Sequence, residues 1–234
     1  MWKNGLWGSL SRSLTFFRRT KTKVFLEQED NHVHPNEIKD SDTSSGDLVT
    51  NPNYLLMHFN VQNLPNKIHQ LQVLLSQYKP KLLCVCEHWM NDDQIQSTHL
   101  PNYKLVTSFC RKQKIHGGVA IYSQEDNWDT VKPILCDGLI RELYFECVGV
   151  CFRLNNKKIA LVVIYSTSSL RSVADFNCFL KYFNDLLDYL YKQYQFVIVC
   201  GDLNVDYLKN TPYRSQLQDL FDSFAQISSS FRTH

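Results

Sequence analysis

Two stretches of the chain are apolar throughout and stop at a carboxylate: "LLCVC" (82–86) runs into Glu87, and "FVIVCG" (196–201) runs into Asp202. A strand with one wet face alternates apolar and polar residues, whereas an uninterrupted run has both faces covered. The chain must therefore build sheet layers packed from both sides, and the groups it offers to solvent must come from strand ends. If the two strands are parallel, Glu87 and Asp202 emerge at one sheet edge, where α/β proteins place their sites.

Other runs extend the pattern. "YLLMHFN" (54–60), "GGVAIYS" (117–123), "LYFECVGVCFRL" (143–154) and "KIALVVIYS" (158–166) read as strands. Asn155 and Asn156 tolerate a tight turn and so predict an antiparallel hairpin between the last two. Between the strands, "PNKIHQLQVLLSQY" puts Ile68, Leu71, Leu74, Leu75 and Tyr78 on one helical face, with Pro65 in the first turn. A longer helix opens at a Ser172-x-x-Asp175 box and repeats Phe176, Phe179, Leu180, Phe183, Leu186, Leu187, Leu190 and Tyr194 at steps of three and four. That periodicity is accounted for by core packing. Hairpins mixed with helical crossovers predict an α/β fold, mixed sheets covered by helices.

The first 26 residues carry Lys3, Arg12, Arg18, Arg19, Lys21 and Lys23 with no acid before Glu27, and the next stretch is acidic, polar and rich in turn formers. The expectation is a disordered extension over 1–52, basic and then acidic, followed by one folded domain over 53–234. The basic segment has the composition of a mitochondrial transit peptide, against the plainer reading of a solvated tail. His32 and His34, within the acidic tract, read as solvated rather than as metal ligands.

At 234 residues and 44% hydrophobic, the chain can bury one sizeable core. A formal charge of +2 creates no long-range field for a polyanion, so phosphate binding must rest on local patches. Eight cysteines occur with no CxxC pair, several inside apolar runs, as expected of reduced thiols in an intracellular protein of nucleus or cytoplasm. No apolar run approaches the roughly 20 residues that span a bilayer, so a soluble protein with no membrane partner is expected.

The strand ends gather oxygen donors: Asn60 after the first strand, Glu87 after the second, and the alternating row Asp202, Asn204, Asp206 after the last. On its own, Gly201-Asp202 can be a turn that merely ends a strand. A calcium loop is excluded, because its glycine and glutamate positions hold Tyr207 and Tyr213. Asp, Glu and Asn without a histidine or cysteine cluster favour a hard cation, Mg²⁺ or Mn²⁺, and with it phosphate chemistry. No small-molecule cofactor is called for. Arg111, Lys112 and Lys114 form a basic loop suited to a nucleic-acid backbone, though such loops are often only solvated. Trp89 and Trp128 can stack on bases or pack at a rim, and His58 and His69 read as structural.

In order, "FN" (59–60), "CEHWM" (86–90), "HGGVAIYS" (116–123), "VVIYSTSS" (162–169) and "VIVCGDLNVD" (197–206) resemble the endonuclease/exonuclease/phosphatase superfamily, and within it the apurinic-type endonuclease domain of non-LTR, LINE-like retrotransposons. The resemblance implies a four-layer αββα sandwich of the DNase I type and Mg²⁺-dependent nicking of DNA that leaves a 3′ hydroxyl, with a linked reverse transcriptase in a full-length element. It implies metal binding by Glu87 and Asn60, a phosphate contact from Tyr165, activation of water by Asp202 and transition-state support from Asn204. The chain departs from the pattern at His88, where the family often has threonine, and at "YSTSS", where a tyrosine-arginine-proline run is familiar. The family's late Ser-Asp-His motif is not reached, and His234 is not its equivalent. The resulting expectation is a domain lacking its last strands, with a bare sheet edge and impaired catalysis. Alternatives are a phosphatase or deadenylase of the same superfamily, or an inactive fragment serving as a binding module.

Overall fold

The computed structural model describes residues 55–114, 116–154, 156–167, 172–206 and 209–230; the proposed 1–52 extension, with His32 and His34, lies outside them, as do His234 and the Trp128 side chain. Strands β1 (Leu56–Asn60), β2 (Leu82–Cys86), β3 (Tyr103–Phe109) and β4 (Val119–Gln124) form one sheet in the order β1-β2-β4-β3. Strands β5 (Lys132–Ile134), β6 (Glu146–Leu154), β7 (Lys157–Tyr165) and β8 (Phe196–Asp202) form the other in chain order. Helices α1 (Ile68–Tyr78) and α2 (Asp92–Ser97) belong to the first half, and α3 (Val173–Tyr191) and α4 (Pro212–Ser230) to the second.

Period-two alternation sorts the residues of each strand into layers. On β7, Ile159, Leu161, Val163 and Tyr165 face the space between the sheets, where they meet Leu82, Cys84 and Cys86 of β2. The intervening Ala160, Val162 and Ile164 face α3 and α4, against Phe176, Phe179, Phe183 and Leu217. Leu83 and Val85 of β2 turn the other way, towards Leu71 and Leu75 of α1. Three apolar layers between four structural ones make an αββα sandwich, and they explain why "LLCVC" and "FVIVC" contain no polar residue.

The long helix starts where its capping residues predict, with the Ser172 hydroxyl accepting from the Asp175 N–H. Its aromatic face packs as core: Phe145, Phe179 and Phe183 lie with ring centroids 5.8–5.9 Å apart. The β6–β7 hairpin is antiparallel, with Leu154 opposite Lys157 and Asn156 at φ 63°. The strand expected from residue 143 begins at Glu146, and the helix expected from Pro65 is a 3₁₀ turn before Ile68. Strands β3 and β5 and helices α2 and α4 complete the layers.

The supposition that "LLCVC" and "FVIVCG" end at the edge of one and the same sheet is corrected, because β2 and β8 belong to opposite sheets. Each instead ends a parallel pair, β1 with β2 and β7 with β8. The registers Asn60↔Cys86 and Tyr165↔Asp202 bring the carboxyl ends of both pairs to the same end of the sandwich.

Candidate active site

Asn60, the last residue of β1, joins the two sheets. Its side-chain amide donates to Glu87 Oε1 at 2.8 Å and to Asp202 Oδ2 at 2.7 Å. Asp202 has no exposed surface, and its Oδ1 accepts the Asn204 N–H at 3.0 Å, closing a local turn that places Asn204 at φ 51° on the surface. The Asn204 amide then donates to the Ser166 carbonyl at 2.6 Å, tying the loop after β8 to the end of β7. Asp206, the last member of the row, sits at the rim, 3.6 Å from Lys209.

Gly201 makes this arrangement possible. A Cβ there would lie 1.8 Å from the Ile164 carbonyl oxygen, and the residue sits at φ +140°, so only glycine lets β8 approach β7 this closely just before Asp202.

Glu87 is set by a loop held in left-handed conformations, with Glu87 at φ 56° and Trp89 at φ 57°. Three backbone bonds pin it: Glu87 N–H to the Gly118 carbonyl at 2.8 Å, Trp89 N–H to the Gly117 carbonyl at 3.0 Å, and Asn63 N–H to the Glu87 carbonyl at 3.0 Å. His88 is buried beneath, its Nδ1 accepting the Met90 N–H and its Nε2 bonded to the Phe109 carbonyl. Burial lowers its pKa, and both nitrogens are in use, so His88 braces the loop. A Cβ at Gly118 would lie 2.3 Å from this imidazole, which is why the sequence has glycine there.

Tyr165 closes the floor between the sheets, 5% exposed and near enough to Glu87 to feel its charge. Burial first, and the Glu87 charge second, push its hydroxyl pKa far up, so it stays a proton donor across the physiological range. Trp89 donates from Nε1 to Glu87 Oε2 at 3.2 Å and stacks on the exposed His116 at 4.2 Å, forming an aromatic lip beside the carboxylate.

The five residues picked from the sequence for metal and catalysis, Asn60, Glu87, Tyr165, Asp202 and Asn204, thus fall into one cluster. The basic trio does not stay together. Lys112 and Lys114 are exposed, with the Lys112 and Gln113 N–H groups fixed on Glu142, while the Arg111 side chain turns inward to pair with Glu146. Glu146 was not singled out in the sequence, although a lone acid between Phe145 and Cys147 in an apolar run is itself a sign of a buried partner. His58 contacts Cys86 Sγ at 3.3 Å.

Among the described residues no group of three or more His, Cys, Asp and Glu side chains is gathered as a metal site. A hard cation of the Mg²⁺ type needs only one or two carboxylates, with water and substrate oxygens completing its shell. The donor set fits that demand: two carboxylates lie on either side of a single amide, and the donors they receive from Asn60, Trp89 and Asn204 are all neutral.

A family model described as the Endonuclease/Exonuclease/phosphatase family matches residues 57–231. Among solved structures, the endonuclease domain of TRAS1, a telomere-specific non-LTR retrotransposon, aligns with a TM-score of 0.55 at 16% identity over 74% of this chain and 73% of its own. ANGEL2, a 2′,3′-cyclic phosphatase, aligns with a TM-score of 0.51 at 12% identity over 70% of this chain and 56% of its own. No curated protein matches the chain. At such identities the structural likeness shows the fold, a DNase I-like sandwich shared by nucleases and phosphatases. With the family match running over most of the described domain, the chain belongs to the Endonuclease/Exonuclease/phosphatase family.

Proposed function

We propose that the chain is a divalent-cation-dependent phosphodiesterase that nicks DNA. The observation that carries this reading is the Asn60 amide bridging Glu87 and Asp202 at the common end of two parallel strand pairs. A negative, oxygen-rich cluster beside a neutral phenol donor is suited to a phosphate that arrives with its own cation.

Glu87 and Asn60 are the residues that would hold Mg²⁺ or Mn²⁺, which when bound would neutralise the non-bridging phosphate oxygens. Tyr165 donates its hydroxyl towards the phosphate, and Asn204 steadies the charge that builds up as water attacks phosphorus. Asp202 takes the proton from that water. Because Asp202 has no exposed surface, water reaches it only by displacing a neighbour, and the exposed Asn204 is the neighbour on the solvent side. Attack opens the bond from phosphorus to the 3′ oxygen, which leaves as a hydroxyl after taking a proton from solvent. Lys112 and Lys114, exposed on the loop that also carries His116, are placed to follow the strand backbone. The likeness to a retrotransposon endonuclease domain supports DNA over a small phosphate ester as substrate, and a reverse transcriptase as the activity it would serve.

The test is nicking of supercoiled plasmid in Mg²⁺ and in EDTA, beside Asp202→Ala and Glu87→Ala. We expect nicking that EDTA abolishes and that each variant lowers by about a hundredfold or more. Equal nicking by wild type and both variants, or none by any, defeats the proposal and leaves a binding role for the fold.

A further inference from the structure

We propose that Arg111 is a phosphate-oxygen donor of this site and that the buried Glu146 is the residue that positions it. The inference rests on the reading of the site as a phosphodiester-cleaving centre.

Arg111 follows β3 in a loop, yet its side chain is only 5% exposed and that of Glu146 1%. A guanidinium remains charged under all ordinary conditions, so its burial requires an anion and a full set of acceptors. Glu146 supplies the anion, taking Arg111 Nε on Oε1 and the Gly118 N–H on Oε2 at 2.9 Å, and the His116 carbonyl accepts Nη1. Burial pushes the Glu146 pKa up, and Arg111 with the Gly118 N–H opposes that shift. Nη2, also buried, has no hydrogen-bond partner. With Nε held by Glu146 and Nη1 by the His116 carbonyl, that orphan nitrogen is a cost to the fold and a donor left for a ligand.

The surroundings are shaped for the guanidinium. Gly117 sits at φ +138°, and a Cβ there would lie 2.1 Å from Arg111 Nε, so "HGG" clears its place just as Gly118 clears that of His88. The guanidinium carbon lies 5.5 Å from the centre of the Tyr165 ring, and the hydroxyl of that ring feels the Glu87 charge. A fixed positive charge therefore stands one ring away from the carboxylate expected to hold the cation, and it lowers the Tyr165 pKa against burial. A salt bridge needed only to tie β6 to the β3–β4 loop gains nothing from an unmatched donor at this spot, since a buried ion pair is rarely more stabilising than apolar packing. A phosphate on Tyr165 would find in Nη2 a second donor, from a planar, preoriented fork.

The experiment uses the full chain in EDTA with inorganic phosphate as the probe and chloride at matched ionic strength as the reference. Thermal midpoints give the phosphate affinity of wild type, Arg111→Lys and Glu146→Gln, and plasmid nicking in Mg²⁺ gives kcat and KM. We expect phosphate to stabilise wild type, Arg111→Lys to weaken its binding tenfold or more, and Glu146→Gln, whose amide oxygen can still accept from Gly118, to weaken it less. In nicking, Arg111→Lys should lower kcat about a hundredfold with KM for plasmid shifted less than about threefold, because the backbone contacts lie elsewhere. Unchanged phosphate affinity in Arg111→Lys overturns the proposal, as does a kcat that falls only with the folded fraction. If the variants do not fold, the side-chain Nε–H resonances of ¹⁵N-labelled wild type decide: a slowly exchanging arginine signal that moves with phosphate supports the assignment, and one that does not move refutes it. Phosphate binding that depends on Arg111 in a chain that cuts no DNA would sink the nicking proposal while leaving the anion site in place.

Discussion

Replacing Asn60 by aspartate tests the cluster most directly, because one atom changes and the packing does not. An oxygen in place of Nδ2 would stand 2.8 Å from Glu87 Oε1 and 2.7 Å from Asp202 Oδ2. Glu87 is half-buried and can hydrate, so the interaction with the sealed Asp202 dominates. Two unit charges about 4 Å apart at an effective dielectric of ~20 repel by ~4 kcal/mol, equivalent to about three pKa units. The Asn60→Asp pair therefore retains a proton in the folded state up to near neutrality, shared between the two groups. The unfolded carboxyl loses its proton near pH 4. The folded pKa is thus raised, and the penalty relative to wild type is absent below about pH 4, grows by ~1.4 kcal/mol per pH unit, and levels off near ~4 kcal/mol above about pH 7. Urea unfolding in EDTA should give a loss of about 1.5 kcal/mol at pH 5 and about 4 kcal/mol at pH 8, read from the midpoints at unchanged slope. Adding Mg²⁺ at pH 8 should recover part of the loss. The same loss at both pH values, or none at either, would show that Asn60 does not sit between the two carboxylates, and the site built on it would fall.

Gly201→Ala should cost ~3 kcal/mol or more, since the new Cβ meets the Ile164 carbonyl at 1.8 Å in a left-handed conformation, whereas Gly138→Ala, with nothing within 4 Å, should stay within about 0.5 kcal/mol; thermal unfolding of the two variants checks the contrast. Burial holds the His58 pKa at about 4, below its ordinary value near 6.5, so the unfolded chain takes up that proton first and stability falls as pH drops from about 6.5 to 4. A His58→Gln variant should show a flatter acid limb in its thermal midpoints, and an unchanged limb would count against the buried neutral imidazole.

The layers were legible because burial writes itself into periodicity. "LLCVC" and "FVIVC" carry no polar residue since one set of side chains meets the opposite sheet and the alternate set meets a helix. The helical face of α3 and its Ser172 cap were legible for the same kind of local reason. Strand β5 was not, because a three-residue edge strand containing Pro133 has no period to detect. Nor was α4, whose "PYRSQLQDLFDSFAQISSS" mixes polar residues into every turn and keeps only a narrow stripe at Leu217, Phe221 and Phe224 against the core.

The same limit explains what the sequence concealed about the site. Period and run length show that a strand is covered on both faces, but not which sheet it joins, and so they leave Glu87 and Asp202 free to read as ends of two strands of one sheet. Their meeting depends instead on how the sheets stack: the ends of β1–β2 and β7–β8 coincide only because Ile159, Leu161, Val163 and Tyr165 interlock with Leu82, Cys84 and Cys86 across the interior. A shift of one sheet along the other by a single pleat would break the Asn60–Asp202 bond, the one of the two Asn60 bonds that crosses between sheets, while leaving every strand and helix intact. The site is thus a property of the sheet interface, and a change in that interface, such as truncation of Leu161, should disturb the cluster before it unfolds the domain. The inward turn of Arg111 was hidden for a related reason. A basic residue in a loop reads as solvated until its acid is found, and Glu146 lies 35 residues away on the other sheet.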